Sequence, residues 1–184
     1  CVATGNKNVH AFTAGFDETG TEEGKRLGEI VKEIAVNGGL RMLGPNCLGL
    51  GYIPKAGLAS WQGLPPQSGS VAFLSQSGGH SEEFSFLGPR VGIFFSKVIS
   101  YGNAYVMDCT DFLEYFAKDP ETSIITVYLE GVKDGRKLLR QVSELNPRKP
   151  IIIWKGGVTS LGARAVSSHT ASLAGSFRIW ETAI

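Results

Sequence analysis

Hydrophobic and polar positions follow two recurring patterns along this chain. Short apolar runs bounded by turn-forming residues predict strands, and stretches with apolar residues every three or four positions predict amphipathic helices. The predicted strands, in chain order, cover residues 9–13, 40–43, 70–75, 92–100, 124–129 and 151–154.

The predicted helices lie between these strands. The first has apolar residues at helical spacing after a polar opening at 19–23, and it ends at the glycine pair 38–39. Its predicted apolar face consists of Leu27, Ile30, Val31, Ile34 and Ala35. Further helices are predicted through 82–87, over 109–116 behind an Asp108 cap, and over 138–145. Apolar strands that alternate with amphipathic helices predict an α/β fold with parallel sheets covered by helices on both faces.

The segment 63–69, GLPPQSG, is rich in turn-forming residues and has no periodicity. It predicts a boundary between two units, 1–63 and 64–184. The chain begins with Cys and ends within a helical pattern, so we expect it to be a piece of a longer polypeptide.

Composition narrows the functional classes. A hydrophobic content of 42% and a charged content of 19% are ordinary for a globular protein. The net charge of +1 offers no basic field for nucleic acid or an anionic membrane, and no apolar run reaches the ~18 residues of a membrane helix. The three cysteines, Cys1, Cys47 and Cys109, are odd in number and widely spaced. Their spacing fits neither a disulfide framework nor a metal site, and it favours a cytoplasmic location.

Four loops follow predicted strands, which is where ligands bind in parallel α/β folds. They are GPNC at 44–47, SQSGG at 75–79, YGN at 101–103 and LEG at 129–131. The 75–79 loop opens a helix, whose free N–H groups favour an anion. A plain turn with hydroxyl caps fits it equally well. The 44–47 and 101–103 loops are by themselves typical of structural turns. Glu130 is either a solvated carboxylate or the partner of an imidazole.

His169 lies in a loop of small residues, SSHTASLAG at 167–175. Small neighbours leave room for a bulky, charged group such as a phosphoryl group on the imidazole. A loop histidine without chemistry remains the other interpretation.

Taken in order, six segments resemble one family, the NDP-forming acyl-CoA synthetases. This family includes ADP-forming acetyl-CoA synthetases and the alpha subunit of succinyl-CoA synthetase. The segments are RMLGPNCLGL, VAFLSQSGG, SYGNAYVMDCTDFLEYFAKDPET, VYLEGVKDGRKL, KPIIIWKGG and GARAVSSHTASLAG. The resemblance implies part of a Rossmann-like CoA-binding domain in 1–63 and a flavodoxin-like ligase domain in 64–184.

The resemblance also implies a reaction. Acyl-CoA and phosphate give an acyl phosphate and CoA; the acyl phosphate phosphorylates His169, which Glu130 orients; a mobile loop then passes the phosphoryl group to a nucleotide. The phosphate would bind at Ser75, Ser77, Gly78 and Gly79. The CoA thiol and acyl group would lie near Asn46, Cys47, Gly102 and Asn103.

The same resemblance sets the expected ligands and partners. Coenzyme A and phosphate are expected on this chain, whereas ADP or ATP and Mg²⁺ would bind an ATP-grasp domain or subunit that the chain lacks. We expect a homo-oligomer, and no activity from this chain alone. One position departs from the family, because His80 follows Gly79 where a small or aliphatic residue is usual.

Two other interpretations stay open. The chain could be a non-catalytic CoA-binding module of a protein lysine acetyltransferase, or a flavodoxin-like scaffold whose loops bind nothing. The presence of both His169 and Glu130 favours catalysis, because a module that only binds needs neither. The identity of the acyl group and the choice between ADP and GDP stay undetermined.

Overall fold

The computed structural model describes residues 1–52, 57–159 and 162. The strands are β1 (Asn8–His10), β2 (Arg41–Leu43), β3 (Gly49–Tyr52), β4 (Leu58–Ala59), β5 (Val71–Ser75), β6 (Phe95–Ser100), β7 (Ile124–Leu129) and β8 (Ile151–Lys155). The helices of more than one turn among these residues are α1 (Glu22–Asn37), α2 (Gly78–Leu87), α3 (Cys109–Lys118) and α4 (Gly135–Leu145).

The larger sheet has six strands in the order β4-β3-β6-β5-β7-β8. Its four strands β6-β5-β7-β8 are parallel and follow the flavodoxin-like, doubly wound order, so the predicted α/β class is confirmed. The expectation of parallel strands is wrong at one edge, where β3 pairs antiparallel with both β6 and β4. Neither β3 nor β4 was predicted, because β3 is short and contains two glycines and β4 has only two residues. Both precede residue 63 in sequence, and the division at 63/64 itself stays a prediction.

Helices α3 and α4 share one apolar core with the sheet. Asp108 caps α3 as predicted, through a capping box in which its carboxylate accepts from Thr110 N and Asp111 reaches back to its N–H. The fully buried members of this core include Ala72, Leu74, Cys109, Leu113, Phe116, Ile125, Val127, Leu129 and Leu138. A second apolar cluster contains Phe73, and the ring of this residue stacks on Phe84 of α2.

The smaller sheet pairs β1 and β2 in parallel, and α1 packs beside it. The predicted apolar face of α1 is wrong in part, because Leu27, Ile30 and Ile34 are 37%, 40% and 55% exposed. The helix instead buries its glycines. A Cβ on Gly28 would lie on the Tyr105 hydroxyl. Because glycine has no Cβ, helix α1 can approach Tyr105 closely.

This topology brings the carboxyl ends of β5, β7 and β8 to one edge of the sheet. The point between β5 and β7 is the switch point of the doubly wound order, where the chain connections change direction. No helix in the described part of the chain is long and apolar enough to cross a membrane.

Candidate functional site

The turn between β5 and α2 is held by its own serines. The fully buried Ser75 hydroxyl donates to Ser77 O (2.7 Å) and accepts from Ser77 N (3.1 Å). Ser77 caps α2, its hydroxyl accepting from His80 N (3.4 Å). The N–H groups of Gly78 and Gly79, at the start of α2, find no acceptor among the described residues. These free donors, together with the positive end of the helix dipole, form an electropositive edge that suits an anion.

The buried Gln76 side chain links this turn to the end of β7. Gln76 Oε1 accepts from the N–H groups of both Glu130 (2.9 Å) and Gly131 (3.1 Å), and Gln76 N donates to Tyr128 O (3.2 Å). Loops that follow two different strands are therefore joined at the switch point. The structure thus brings together the predicted turn of Ser75, Ser77, Gly78 and Gly79 and the predicted Glu130.

Glu130 is 3% exposed, and its carboxylate acts on the neighbouring Tyr128 hydroxyl and Lys155 ammonium. Burial and the neighbouring Glu130 carboxylate, to which the hydroxyl is hydrogen-bonded, raise the pKa of Tyr128 to about 12. Lys155 Nζ donates to Glu130 O (2.9 Å), and burial lowers the pKa of this ammonium although the Glu130 carboxylate opposes the shift. An ammonium group is therefore held at the same edge as the buried carboxylate.

His80 lies in the first turn of α2, beside Tyr128 of β7 and Trp154 of β8. Its imidazole stacks on Trp154 with ring centroids 4.7 Å apart and meets Tyr128 edge-on at 4.4 Å. An open cleft of about 800 Å³ adjoins it, lined by residues of the turn and of α2 that include Ser77, Gly79, Glu83 and Phe86. His80 is thus packed against aromatic rings beside the cleft.

A second cluster is built around two asparagines, one from each of the predicted CoA-binding loops. Asn46 Nδ2 donates to Asn103 Oδ1 (3.2 Å), so the structure brings these loops together. Asn103 Nδ2 donates in turn to Glu18 Oε2 (2.6 Å) and Asp17 Oδ1 (3.2 Å). Gly102 is required for this approach, because a Cβ there would lie 2.2 Å from Asn46 O. The asparagine cluster of Asn46, Asn103, Asp17 and Glu18 is a polar patch fixed by carboxylates.

Cys47 follows Asn46 directly but is buried in the core. Its Sγ donates to Ala11 O (3.8 Å), and burial raises the pKa of the thiol to about 12. The side chain is therefore a protonated, packed thiol near neutral pH. Its contact with a CoA thiol or acyl group stays a prediction.

His169 lies outside the described residues, as does the whole loop 167–175. Its distance from Glu130 is therefore not described. Among the residues that the structure does cover, no group of three or more His, Cys, Asp or Glu side chains could hold a metal ion.

Four further polar residues at these two sites were not singled out from the sequence: Asp17, Glu18, Gln76 and Lys155. Gln76 lies inside the predicted anion-binding motif, and its position between two serines at a strand end was a usable signal. No sequence signal pointed to Asp17 and Glu18, because they contact Asn103 from 86 and 85 positions away in the sequence.

Comparison with known proteins shows which family the chain resembles. Residues 68–184 match the family model of the succinyl-CoA ligase like flavodoxin domain. The chain is 43% identical over 182 residues to acetate–CoA ligase [ADP-forming] I of Archaeoglobus fulgidus, covering 97% of this chain and 26% of that protein. It is 42% identical over 183 residues to the alpha subunit of acetate–CoA ligase [ADP-forming] II of Pyrococcus furiosus, covering 100% of this chain and 40% of the subunit.

A solved structure is also similar. The dinucleotide forming acetyl-coenzyme A synthetase 1 of Candidatus Korarchaeum cryptofilum, in complex with phosphate and ADP, superposes with a TM-score of 0.87 at 42% identity. The match covers 100% of this chain and 39% of that one. The chain therefore spans less than half the length of these relatives.

Proposed function

The chain belongs to the NDP-forming acyl-CoA synthetase family through its succinyl-CoA-ligase-like flavodoxin domain, and we propose that it carries the phosphate-binding and phosphohistidine steps of an acid–CoA ligase. The complete reaction interconverts acyl-CoA, phosphate and NDP with carboxylic acid, CoA and NTP. In this proposal coenzyme A and phosphate bind to this chain. ADP or ATP, with Mg²⁺, binds to an ATP-grasp domain or subunit.

The first step joins phosphate to the acyl group. A phosphate oxygen attacks the thioester carbonyl, the C–S bond breaks, and CoA leaves as the thiolate. The free N–H groups that begin α2 and the capping hydroxyl of Ser77 hold the phosphate anion. Asn46, Gly102 and Asn103 lie toward the thioester, and small differences in that region decide which acyl group is accepted.

The second step moves the phosphoryl group to the protein. A neutral His169 nitrogen attacks phosphorus, an N–P bond forms, the P–O bond to the acyl group breaks, and the carboxylate leaves. Glu130 accepts a hydrogen bond from the other ring nitrogen and stabilises the imidazolium. Transfer to the nucleotide then breaks the N–P bond. The observation that carries this proposal is the meeting of the β5–α2 turn with Glu130 at the switch point.

The remaining organisation is also a proposal. Residues 1–63 contribute to CoA binding, residues 64–184 form the ligase domain, and the complete cytoplasmic enzyme is a homo-oligomer. A subunit arrangement is supported by the Pyrococcus furiosus relative, whose name describes it as an alpha subunit. We expect this chain alone not to form acyl-CoA.

Phosphorylation of the full-length protein tests the proposal directly. The protein is incubated with acetyl phosphate and Mg²⁺, and its intact mass and the stability of the adduct are measured. We expect one added phosphoryl group that is labile in acid, stable in alkali, absent in His169→Ala and retained in the matched variant His10→Ala. A folded protein that gains no phosphoryl group would contradict the proposal and favour the CoA-binding module.

A further inference from the structure

The Gln76 amide is held in one orientation by the protein backbone. Gln76 is 6% exposed, and its side chain spans from the end of β5 to the end of β7. Two N–H groups, those of Glu130 and Gly131, point at the same amide atom at 2.9 and 3.1 Å. Because a backbone N–H can only donate, that atom is the oxygen, Oε1. The NH₂ group of Gln76 must therefore lie on the other side of the amide.

This NH₂ group has no acceptor among the described residues. Most buried polar atoms in proteins are paired, so an unpaired amide donor at a strand end needs an explanation. The fully buried side-chain atoms without a partner, in the part of the chain described, are the Tyr101 hydroxyl and Gln141 Oε1. Gln76 Nε2 is not one of them, so it keeps some access to solvent.

The surroundings of Nε2 limit what it can bind. The amide belongs to the same turn as the free N–H groups of Gly78 and Gly79 and the capping Ser77. These groups of the turn are hydrogen-bond donors or hydroxyls, and the negative charge at this edge belongs to Glu130. A ligand that satisfies several donors of one turn must present several acceptor oxygens, as a tetrahedral oxyanion does.

We propose that Gln76 is a further ligand of the phosphoryl group, donating from Nε2 to one of its non-bridging oxygens. This inference rests on the proposed function and adds a side-chain donor to a site otherwise made of backbone N–H groups and serine. A neutral amide orients the anion without the strong attraction of a lysine or arginine. Such a donor suits a phosphoryl group that is received and then handed on.

The substitution Gln76→Glu separates the two functions of this side chain. A glutamate keeps an oxygen that accepts from Glu130 N and Gly131 N, so the link between β5 and β7 persists. Its second oxygen replaces the donor with an acceptor that repels an anion. The substitution Gln76→Met removes the donor without adding a second carboxylate beside Glu130. It also removes the oxygen that accepts from Glu130 N and Gly131 N, so its stability is measured by urea denaturation alongside phosphate binding.

The experiment measures phosphate binding and turnover on the full-length protein. Steady-state KM values for phosphate, CoA and acetyl-CoA are determined together with titration calorimetry of inorganic phosphate. We expect the phosphate KM and Kd to rise by at least about 10–100-fold in Gln76→Met, because it loses the hydrogen bond from Nε2 to a charged group. In Gln76→Glu, where the bonds from Glu130 N and Gly131 N persist, the added negative charge should raise both constants further. The KM values for CoA and acetyl-CoA should stay within about twofold, because the proposal places only the phosphoryl group on this amide.

Gln141→Glu is the matched control, since Gln141 is also buried but donates to Thr110 O in the α3–α4 core. It should leave the phosphate Kd unchanged even if it lowers stability. Unchanged phosphate constants in both Gln76 variants would overturn the inference, as would a fall in kcat alone with all KM values preserved. A wild-type protein that neither binds phosphate nor turns over would overturn the proposed function together with this inference.

Discussion

The anion-binding turn and the asparagine cluster are built in opposite ways. The anion-binding turn lies at the ends of adjacent parallel strands, and neutral groups hold it: serine hydroxyls, backbone N–H groups and the Gln76 amide. The asparagine cluster joins residues 17 and 18 to the loops that follow β2 and β6. Two carboxylates, Asp17 and Glu18, fix its amides.

This difference has consequences for how each region responds to change. A turn fixed by strand register and short hydrogen bonds depends on a few buried atoms, and it does not depend on charge. A cluster assembled from distant loops depends on close backbone approach and on ionised carboxylates. The substitutions below test whether each region depends on buried hydrogen bonds, on close backbone approach or on charge. The substitution with the largest expected effect comes first.

Gly102→Ala should cause the largest loss. A Cβ at this position would lie 2.2 Å from Asn46 O and 2.3 Å from Pro45 O, and both are backbone atoms that cannot move aside cheaply. The residue also has φ +57°. We expect the free energy of unfolding, measured by urea denaturation, to fall by about 3–5 kcal/mol.

Gly92→Ala is the matched control for this substitution. Gly92 has φ +81°, but an added Cβ there meets nothing within 4 Å. It should therefore lose only the conformational cost of a left-handed backbone, about 1 kcal/mol. Equal losses at Gly92 and Gly102 would show that the asparagine cluster does not depend on the close approach of its two loops.

Ser75→Ala tests the anion-binding turn. Removing the hydroxyl leaves the N–H of Ser77 without its acceptor, and a buried donor without a partner costs about 2 kcal/mol. Ser81→Ala is the matched control, because Ser81 is equally buried and also donates to Ser77 O. That oxygen keeps its bond from Ser75, so we expect a loss of less than about 1 kcal/mol in chemical denaturation. Similar losses in both variants would contradict the importance that we give to the Ser75–Ser77 pair.

These two regions also show what the sequence can predict. The turn was predictable because two local patterns, an apolar run and a helix start, place SQSGG at a strand end, and parallel register then brings Glu130 beside it. The loops around Asn46 and Asn103 were predicted individually and by resemblance. Their shared carboxylates were not, because no local pattern reports a contact across more than 80 positions.

Helix α1 shows a second limit, which is physical. Periodicity counts large apolar side chains, so besides Val31 and Ala35, which do pack in the core, it assigned Leu27, Ile30 and Ile34 to the buried face. The helix also packs through Gly24 and Gly28, where the absence of side chains allows Phe16 O and the Tyr105 hydroxyl to approach. A glycine that allows close packing can therefore help to determine which face of a helix is buried. Hydropathy values do not show this effect.

Glu18→Gln should have the smallest effect, and one that depends on pH. Burial acts to raise the pKa of the Glu18 carboxyl, but hydrogen bonds from Gly15 N, Asn103 Nδ2 and Phe16 N outweigh it, and the pKa is lowered. A lowered pKa in the folded state stabilises the fold above the ordinary value of 4.5, and this contribution is lost as the pH falls through the folded value. We expect Glu18→Gln to lose about 0.5–1 kcal/mol at pH 7, because the half-buried group is partly screened by solvent.

Urea denaturation at pH 7 and at lower pH values distinguishes this explanation from a steric one. The difference between wild type and Glu18→Gln should shrink as the pH falls below about 4.5, since the protonated carboxyl resembles the amide. Glu29→Gln, an exposed position on α1 paired with Lys32, should differ from wild type by less than about 0.5 kcal/mol at pH 7. A Glu18→Gln loss that persists unchanged in acid would mean that shape, and not charge, holds Asn103 in place. The contrast between a charge-fixed cluster and a neutral turn would then be wrong.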